Sequence, residues 1–268
     1  MDEVKKFCVM GLPVSHSLSP QIHKEFAKQQ GINIQYKIIE PDTEEHFETH
    51  AQSFFSKKGY GANVTIPFKE EAYNFSDSQD ISAKECGCAN TLVLRDNDIK
   101  AFNTDGIGFI NDLKNKNILL ADKHILILGA GGSAKSIINS LSKHNMGQLS
   151  ILTRTTKKAN DLIDKYNESI DISHYKDNSI YDIVINTTPI SLSKNDIPFP
   201  KNIFKPSSIS YDLFYSKTKT SFQDWSIANG ADKTYDGLGM LIEQAALSYD
   251  IWNNFIPETK SISKLLGF

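Results

Sequence analysis

The sequence is poor in cysteine and has no long apolar run, and both features restrict what the protein can be. Its 268 residues include three cysteines, Cys8, Cys86 and Cys88. Because this odd number lacks the spacing of a disulfide framework, we expect a reducing compartment and a cytoplasmic location. No apolar stretch approaches the ~18 residues that cross a bilayer. The first residues, MDEVKKF, have no apolar region or cleavage site of a secretory signal. We therefore predict no membrane partner.

An excess of charge of one sign is also missing. The formal net charge is −3, with 23% charged and 40% apolar residues, close to the average for soluble globular proteins. This balance excludes a general attraction to nucleic acid or to an anionic surface. Cys86 and Cys88 have C-x-C spacing with no histidine pair beside them. We expect no metal site there, because structural zinc needs four ligands. The oligomeric state is left open, with a homodimer as one alternative.

Repeats and low-complexity tracts are absent, and two α/β patterns follow one another. The first runs to about residue 105 and ends in a hairpin across Asp96-Asn97-Asp98. The second starts near Lys123 with an uninterrupted apolar run, Ile125–Leu128, which is typical of a central parallel strand covered on both faces. Strands that alternate with helices favour a parallel sheet with right-handed crossovers. The sequence therefore predicts an α/β fold of two domains.

The individual elements follow from periodicity and from helix start and stop signals. In the first pattern we predict strands at Phe7–Met10, Tyr36–Ile39, Ala62–Ile66, Thr91–Arg95 and Ile99–Phe102, and helices from Ser19, at Thr43–Lys57, at Pro67–Phe75 and up to Gly87. In the second we predict a helix that ends at Lys143, strands at Leu149–Leu152, Asp182–Asn186 and Ile209–Leu213, and a helix at Thr156–Tyr166. An apolar stripe along 238–255 predicts a last helix that packs on the first domain.

A glycine-rich turn follows the first strand of the second pattern. Gly129-x-Gly131-Gly132 lacks the third glycine of G-x-G-x-x-G, and Ala134 is the small residue in its place. Such a turn lets the backbone approach a pyrophosphate, and the following helix offers unpaired N–H groups and its positive dipole end. A glycine cluster alone is also compatible with an ordinary tight turn. The flanking strand and helix favour dinucleotide binding.

The end of the next strand lacks the acidic residue that usually binds the ribose 2′-hydroxyl of NAD. Thr153-Arg154-Thr155 stands there, followed by Lys157 and Lys158. A 2′-phosphate needs such cationic, hydrogen-bonding groups, so the sequence predicts NADP. For Lys157 alone, a solvated helix face is the better interpretation.

Three polar segments of the first pattern could carry chemistry. Lys69 lies in the first turn of a predicted helix, where the helix dipole disfavours a cation, although a solvated lysine is the alternative. Asp105 lies where a strand gives way to a helix, so it is either an N-cap or the partner of Lys69 in proton transfer. Ser19 before Pro20 is typical of an N-cap, whereas Ser17 has no such explanation. His16 and His23 fit packing or solvent exposure better than catalysis.

Taken together, these segments resemble a known family. The motifs are GLPVSHSLSPQIH, GANVTIPFKEEA, CANT, FNTDG, LGAGGSAK, TRTTKKA, INTTP, YDLFY and DGLGMLIEQAA. In this order and spacing they resemble shikimate dehydrogenase, in particular the bacterial biosynthetic NADP-dependent form, over residues 7 to 257.

The resemblance implies an activity, a domain organisation and a set of site residues. Lys69 would be the catalytic acid/base, paired with Asp105, in the reversible reduction of 3-dehydroshikimate by NADPH. The substrate-binding residues would be Ser17, Ser19, Thr65, Lys69, Asn90, Asp105, Tyr215 and Gln244. The cofactor-binding residues would be Gly129, Ala130, Gly131, Gly132, Ser133, Thr153, Arg154, Lys158, Leu213 and Gly237. Residues 1–105 and 238–268 would form the substrate-binding domain, and 106–237 a Rossmann-like NADP-binding domain, with the active site in the cleft between them.

Four departures from the family pattern are visible. Thr153 replaces an asparagine, Cys88-Ala89 replaces Ala-Val, and Lys217 stands where proline or glycine is common. Ile190-Ser191-Leu192 replaces the usual Gly-Met after INTTP, which leaves the loop beside the cofactor undefined. Two alternatives remain: a quinate/shikimate dehydrogenase that uses both NAD and NADP, and a non-catalytic nucleotide-binding sensor on the same fold.

Overall fold

The computed structural model describes residues 4–192 and 197–268. The chain divides into two compact units, Met1–Phe109 with Leu241–Phe268, and Ile110–Met240. The division falls inside two helices, Asp105–Asn115 and Leu238–Asn253. The sequence-based boundaries, 105/106 and 237/238, lie at the starts of these helices. The functional assignment of each unit stays a prediction.

The first unit contains a six-stranded mixed sheet. Its strands are β1 (Lys5–Met10), β2 (Ile34–Ile39), β3 (Gly59–Val64), β4 (Ser78–Gln79), β5 (Thr91–Arg95) and β6 (Asp98–Phe102). Their order is β2-β1-β3-β5-β6-β4. The strand β1 pairs in parallel with β2 and β3, whereas β5 is antiparallel to both β3 and β6. The predicted hairpin is β5–β6.

Four helices connect these strands: α1 (Ser19–Gln30), α2 (Phe47–Ser56), α3 (Lys69–Phe75) and α4 (Ile81–Cys86). A fifth helix, α5 (Asp105–Asn115), follows β6. Two predicted helix starts were wrong. The helix predicted from Thr43 opens as a short 3₁₀ turn, Glu44–His46, before α2. The helix predicted from Pro67 begins at Lys69, because the Phe68 N–H closes a turn on the Thr65 carbonyl (3.0 Å) and the Phe68 carbonyl accepts the first helical bond.

The second unit contains a six-stranded sheet in which all neighbouring strands are parallel. Its elements are β7 (His124–Leu128), α6 (Gly132–Leu141), β8 (Gln148–Leu152), α7 (Thr156–Tyr166), β9 (Ile172–His174), β10 (Tyr181–Asn186), β11 (Phe204–Asp212), α8 (Ser221–Ala228) and β12 (Lys233–Tyr235). The order is β12-β11-β10-β7-β8-β9. Strands β8 and β9 are thus added on one side of β7, and β10 to β12 on the other. The strand order therefore reverses between β7 and β10, and open α/β sheets bind ligands at such a point.

The chain ends with α9 (Leu238–Asn253) and α10 (Ile262–Leu265). Within the first unit, Tyr249 Oη of α9 donates to Gln30 Oε1 (2.6 Å) and Trp252 Nε1 donates to the Leu92 carbonyl (3.0 Å). The Trp252 ring also stacks on Phe7 at a centroid distance of 4.7 Å. The predicted fold class, including a last helix that packs on the first domain, is confirmed. Within the described residues, no helix combines the length and apolar character needed to cross a membrane.

Candidate active site

The first unit contains a buried ion pair of two predicted catalytic residues. Lys69 Nζ donates to Asp105 Oδ2 at 2.6 Å, and the two side chains are 10% and 7% exposed. Lys69 is therefore not a solvated surface lysine, and the alternative for that residue was wrong. A buried pair persists only where its remaining hydrogen-bonding groups are satisfied.

Lys69 and Asp105 are each the first residue of a helix. Lys69 is the first residue of α3, and its carbonyl accepts from the Ala89 N–H (2.8 Å), which holds α3 next to the segment before Asn90. Asp105 is the first residue of α5, and its N–H donates to Asn103 Oδ1 (3.2 Å). The side chain that bonds to the backbone at this helix start is thus Asn103. Asp105 is free of the capping role and directs its carboxylate to Lys69.

Asn90 connects the pair to the last helix. Its Nδ2 group lies within donating distance of Asp105 Oδ1 (2.9 Å), Thr104 Oγ1 (2.8 Å) and Gln244 Oε1 (3.0 Å). Asn90 and Gln244 are both buried. The structure therefore brings four predicted residues, Lys69, Asp105, Asn90 and Gln244, into one hydrogen-bonded cluster.

A second group of buried polar residues supports this cluster, and the sequence analysis did not identify it. Ser248 Oγ of α9 lies 2.7 Å from Thr91 Oγ1 and 3.2 Å from Thr104 Oγ1, and it accepts from Asn63 Nδ2 at 3.0 Å. Asn63 Oδ1 in turn accepts from Tyr36 Oη (2.7 Å). The signal was present in the sequence, because Asn63 and Ser248 are polar positions inside otherwise apolar stretches.

The predicted substrate-binding residues Ser17 and Ser19 lie at the start of α1. The helix begins at Ser19 rather than after it, and Leu18 is the capping residue, so the N-cap interpretation of Ser19 was wrong. Ser17 Oγ accepts from the Ser19 N–H (3.2 Å) and lies 3.1 Å from Ser19 Oγ. Ser19 also interacts with the Tyr36 hydroxyl, which bonds to Asn63. A chain of polar contacts therefore extends from the serines toward the Lys69 cluster.

Glu40, a residue that was not predicted from the sequence, holds the loop before these serines. Glu40 Oε2, just beyond β2, accepts from the backbone N–H groups of Val14 (2.5 Å) and Ser15 (2.8 Å).

Thr65, another predicted substrate-binding residue, is half-buried, and its N–H donates to the Met10 carbonyl (2.9 Å). This bond holds the Thr65 backbone beside the end of β1.

The glycine-rich turn of the second unit follows β7, as predicted. Gly129 has a φ of 111°, and a Cβ there would lie 2.6 Å from Thr187 Oγ1. Gly131 has an ordinary φ of −87° and caps α6, and a Cβ there would meet no atom within 4 Å. No acidic residue lies in the first turn of α6. The turn thus presents open space beside a helix start that suits an anion.

The end of β8 carries the predicted cations. Arg154, Lys157 and Lys158 are all exposed, and none of them forms an ion pair within residues 4–192 and 197–268. The Thr155 N–H lies 3.4 Å from Thr153 Oγ1, which shapes the turn before α7. These cations remain available to an external anion such as a phosphate.

Two predicted cofactor-binding residues, Leu213 and Gly237, lie against each other in the second unit. The Gly237 N–H donates to the Phe214 carbonyl (3.0 Å), and a Cβ on Gly237 would lie 2.1 Å from the Leu213 carbonyl oxygen. Only glycine fits this close approach. Tyr215, the remaining predicted substrate residue, follows in the same loop, and its ring stacks on Phe214 at 5.9 Å.

Family models match three parts of the chain. Residues 9–92 match a shikimate dehydrogenase substrate binding domain, residues 112–193 match shikimate / quinate 5-dehydrogenase, and residues 237–266 match a shikimate 5′-dehydrogenase C-terminal domain.

Individual relatives agree with these matches. A protein from Nitrosospira multiformis named shikimate dehydrogenase (NADP(+)) is 40% identical over 265 residues, which are 97% of this chain and 96% of that protein. The structure of shikimate dehydrogenase from Aquifex aeolicus superposes with a TM-score of 0.87 at 30% identity, over 99% of this chain and 98% of that one. The Thermus thermophilus enzyme in complex with NADP(H) and shikimate gives 0.86 at 26% identity, over 97% and 98%. The resemblance seen in the motifs is confirmed, and the chain belongs to the shikimate dehydrogenase family.

Proposed function

We propose that this chain catalyses the reversible, NADP-dependent reduction of 3-dehydroshikimate to shikimate, with Lys69 and Asp105 as its proton-transferring pair. This is the reaction of the aromatic biosynthetic branch to which the family belongs. The observation that carries the proposal is the buried hydrogen bond between Lys69 and Asp105 in a chain 40% identical to an enzyme named for this activity. A nucleotide-binding sensor has no need of a buried acid/base pair.

The pair performs the proton transfer of the reaction. NADPH, when bound, supplies the hydride to the C3 carbonyl carbon. Lys69 Nζ donates a hydrogen bond and then a proton to the carbonyl oxygen as negative charge develops there. Asp105 Oδ2 orients the ammonium, and Asn90 Nδ2 holds the other carboxylate oxygen. In the direction of shikimate oxidation, the same amine accepts the hydroxyl proton.

The substrate is a small polyol acid, which needs several fixed donors and acceptors. We assign its carboxylate to Ser17, Ser19 and Tyr215, and its hydroxyls to Thr65, Asn90 and Gln244. The buried amides of Asn90 and Gln244 are already oriented by the cluster. A buried polar group left unpaired by a wrong substrate is costly, so such a site discriminates by hydrogen bonding.

The residues of the second unit fit an NADP molecule. The open space at Gly131 and the start of α6 suit the pyrophosphate, which we assign to Gly129, Ala130, Gly131, Gly132 and Ser133. The exposed Arg154 and Lys158, with Thr153, suit the 2′-phosphate and adenosine. We assign the nicotinamide to Leu213 and Gly237. A cytoplasmic location agrees with the three cysteines, none of which forms a disulfide within the described residues.

The proposal is tested by nicotinamide reduction with the purified protein, with shikimate or quinate as substrate and NADP or NAD as cofactor. We expect strong turnover only with shikimate and NADP. Comparable rates with quinate or NAD would place the chain in the dual-specificity branch of the family. Absence of turnover together with tight NADP binding would favour the sensor and overturn the proposal.

A further inference from the structure

The second unit contains a buried carboxylate, that of Asp212, which has no role in the proposed function. Asp212 ends β11 and is fully buried. Four donors surround it: Oδ1 accepts from Asn186 Nδ2 (2.9 Å) and the Phe214 N–H (3.2 Å), and Oδ2 accepts from Ser191 Oγ (2.6 Å) and Thr220 Oγ1 (2.7 Å). The donors come from the end of β10, the segment after it, the segment after β11 and the start of α8. One side chain therefore ties these four places together.

The segment after β10 is bound on its other side to the glycine-rich turn. Thr187 donates from its N–H (3.0 Å) and its Oγ1 (2.7 Å) to the carbonyl of Leu128, the residue before Gly129. Next to it, Asn186 Oδ1 accepts from the N–H (3.0 Å) and the hydroxyl (2.7 Å) of Thr188. The contacts of Asp212 are thus continuous with the turn assigned to the pyrophosphate.

The segment after β11 is held in the same way. Asp212 fixes the N–H of Phe214, whose carbonyl accepts from Gly237. Leu213 directly precedes Phe214, and its own N–H donates to the Asn186 carbonyl (3.0 Å). The backbone that presents Leu213 therefore has its position set by the Asp212 carboxylate and by Gly237.

The charge of Asp212 makes these contacts stronger than neutral ones. Burial raises the pKa of the Asp212 carboxyl above its ordinary value, while the four hydrogen bonds act in the opposite direction. Hydrogen bonds to a carboxylate are roughly twice as strong as those between neutral groups. Loss of any one donor leaves the buried oxygen partly unsatisfied, so the four segments cannot move apart independently.

We propose that Asp212 is a positioning residue for the nicotinamide end of the cofactor, and that Ser191 is the residue by which this chain attaches the loop after β10 to it. The inference rests on the proposed function, since it concerns the same cofactor. It also explains the departure from the family pattern at Ile190-Ser191-Leu192, because the Ser191 hydroxyl supplies a contact that glycine could not make.

The test uses Ser191→Ala, which removes one of four donors and leaves the others in place, so that the unit keeps its fold. Ser191→Thr keeps the hydroxyl, and Ser169→Ala, at an exposed serine of the same unit, is the matched control. For Ser191→Ala we expect the KM and the Kd for NADP to rise about three- to tenfold. The KM for shikimate should rise by less, within about twofold, because Tyr215 is the one predicted substrate-binding residue that lies in the second unit. Asp212→Asn, which keeps the shape and removes the charge, should shift the NADP parameters in the same direction.

The outcomes separate this inference from the proposed function. Weaker NADP binding in Ser191→Ala, with Ser191→Thr and Ser169→Ala close to the wild type, supports the positioning role. Unchanged NADP parameters in Ser191→Ala and Asp212→Asn, or an equal rise in both substrates' KM values, would overturn it. Failure of the wild-type protein to bind NADP or to oxidise shikimate would instead overturn the proposed function itself, and the inference with it.

Discussion

Lys69 Nζ lies 2.6 Å from Asp105 Oδ2, although the two residues are separated by 36 positions and begin different helices. The start of α3 is by itself unfavourable for Lys69, because the helix dipole opposes a cation in its first turn. Asp105 in contrast lies at the helix end that favours an anion. The carboxylate therefore compensates for an unfavourable lysine position, and Asn90 Nδ2 satisfies the other carboxylate oxygen of the buried pair (2.9 Å).

Replacement of Lys69 should remove the proton donor and leave the cofactor site intact. For Lys69→Ala we expect kcat for shikimate oxidation to fall about 10²–10⁴-fold with the Kd for NADP within about twofold. Steady-state kinetics and a direct NADP titration measure both. Lys84→Ala, at an exposed lysine of α4, is the control and should behave as the wild type.

The same substitution should also lower stability. The Asp105 carboxylate would remain buried without its cation, which costs about 3–5 kcal/mol. Asp105→Asn keeps the shape and a hydrogen bond to Lys69, and it tests the second member of the pair. Turnover near the wild-type rate in either variant would exclude the pair from the proton transfer.

We expect Arg154 to bind the 2′-phosphate of the cofactor. Loss of one hydrogen-bonded charge pair costs about 1.5–3 kcal/mol, so Arg154→Ala should raise the KM for NADP by about one to two orders of magnitude and leave the KM for NAD unchanged. Lys157→Ala is the matched control and should have a small effect, since we interpret Lys157 as part of a solvated helix face. An equal effect of Arg154→Ala on both cofactors would show that this residue does not contact the phosphate.

The sequence predicted those elements whose own pattern is strong. The helix α7 has the predicted bounds, Thr156–Tyr166, because its apolar stripe and its flanking polar residues are local signals. The three-residue edge strands β9 and β12 are too short for an alternation to be visible. The helix α8 was missed although Thr220 and Gln223 form a capping box, a signal that the sequence does contain.

The residues of the candidate site and the pairing of Lys69 with Asp105 were predicted from the sequence. The other hydrogen bonds within the site were not. Motif resemblance named Lys69, Asp105, Asn90 and Gln244. The contacts of Ser248 with Thr91 join positions 157 residues apart, and periodicity carries no information about such pairs. The Asp212 cluster was missed for the same reason, because its donors converge only when β10 and β11 lie side by side.

Substitutions at two glycines of the glycine-rich turn should distinguish effects on folding from effects on cofactor binding. At Gly129, positive φ and the contact with Thr187 make alanine strained, so Gly129→Ala should lower the free energy of unfolding by more than about 1 kcal/mol. At Gly131, alanine meets open space, so Gly131→Ala should cost less than about 1 kcal/mol, from the poorer N-cap alone.

Gly131→Ala should nevertheless weaken NADP binding, because the added methyl group occupies the space through which the backbone approaches the pyrophosphate. Urea denaturation without cofactor and an NADP titration provide the two readouts. Unchanged NADP affinity in a stable Gly131→Ala protein would remove this turn from the cofactor site.

His23 should make the stability of the protein depend on pH. It is buried among Tyr36, Trp252 and Asn63, with ring centroids 4.6 and 5.1 Å away for the first two. Burial lowers the pKa of His23 from 6.5 to about 3, against a smaller opposing effect of the hydrogen bond to Asn63. Between these pH values the unfolded chain binds a proton that the folded protein does not, so the free energy of unfolding falls as the pH falls.

Each pH unit between the unfolded and folded pKa values of His23 corresponds to about 1.4 kcal/mol. Acidification from pH 6.5 to 4.5 should therefore lower the free energy of unfolding by about 2–3 kcal/mol through protonation of His23 in the unfolded chain. His23→Gln keeps a donor for Asn63 and does not titrate, so its unfolding free energy should fall by that much less over the same interval. Urea denaturation at both pH values measures the difference, with His46→Gln, at an exposed histidine of the same unit, as the control. If His23→Gln and the wild type lost the same stability on acidification, His23 would have to be protonated in the folded protein, and a charge would then lie within the aromatic cluster that joins α1 to the C-terminal helix.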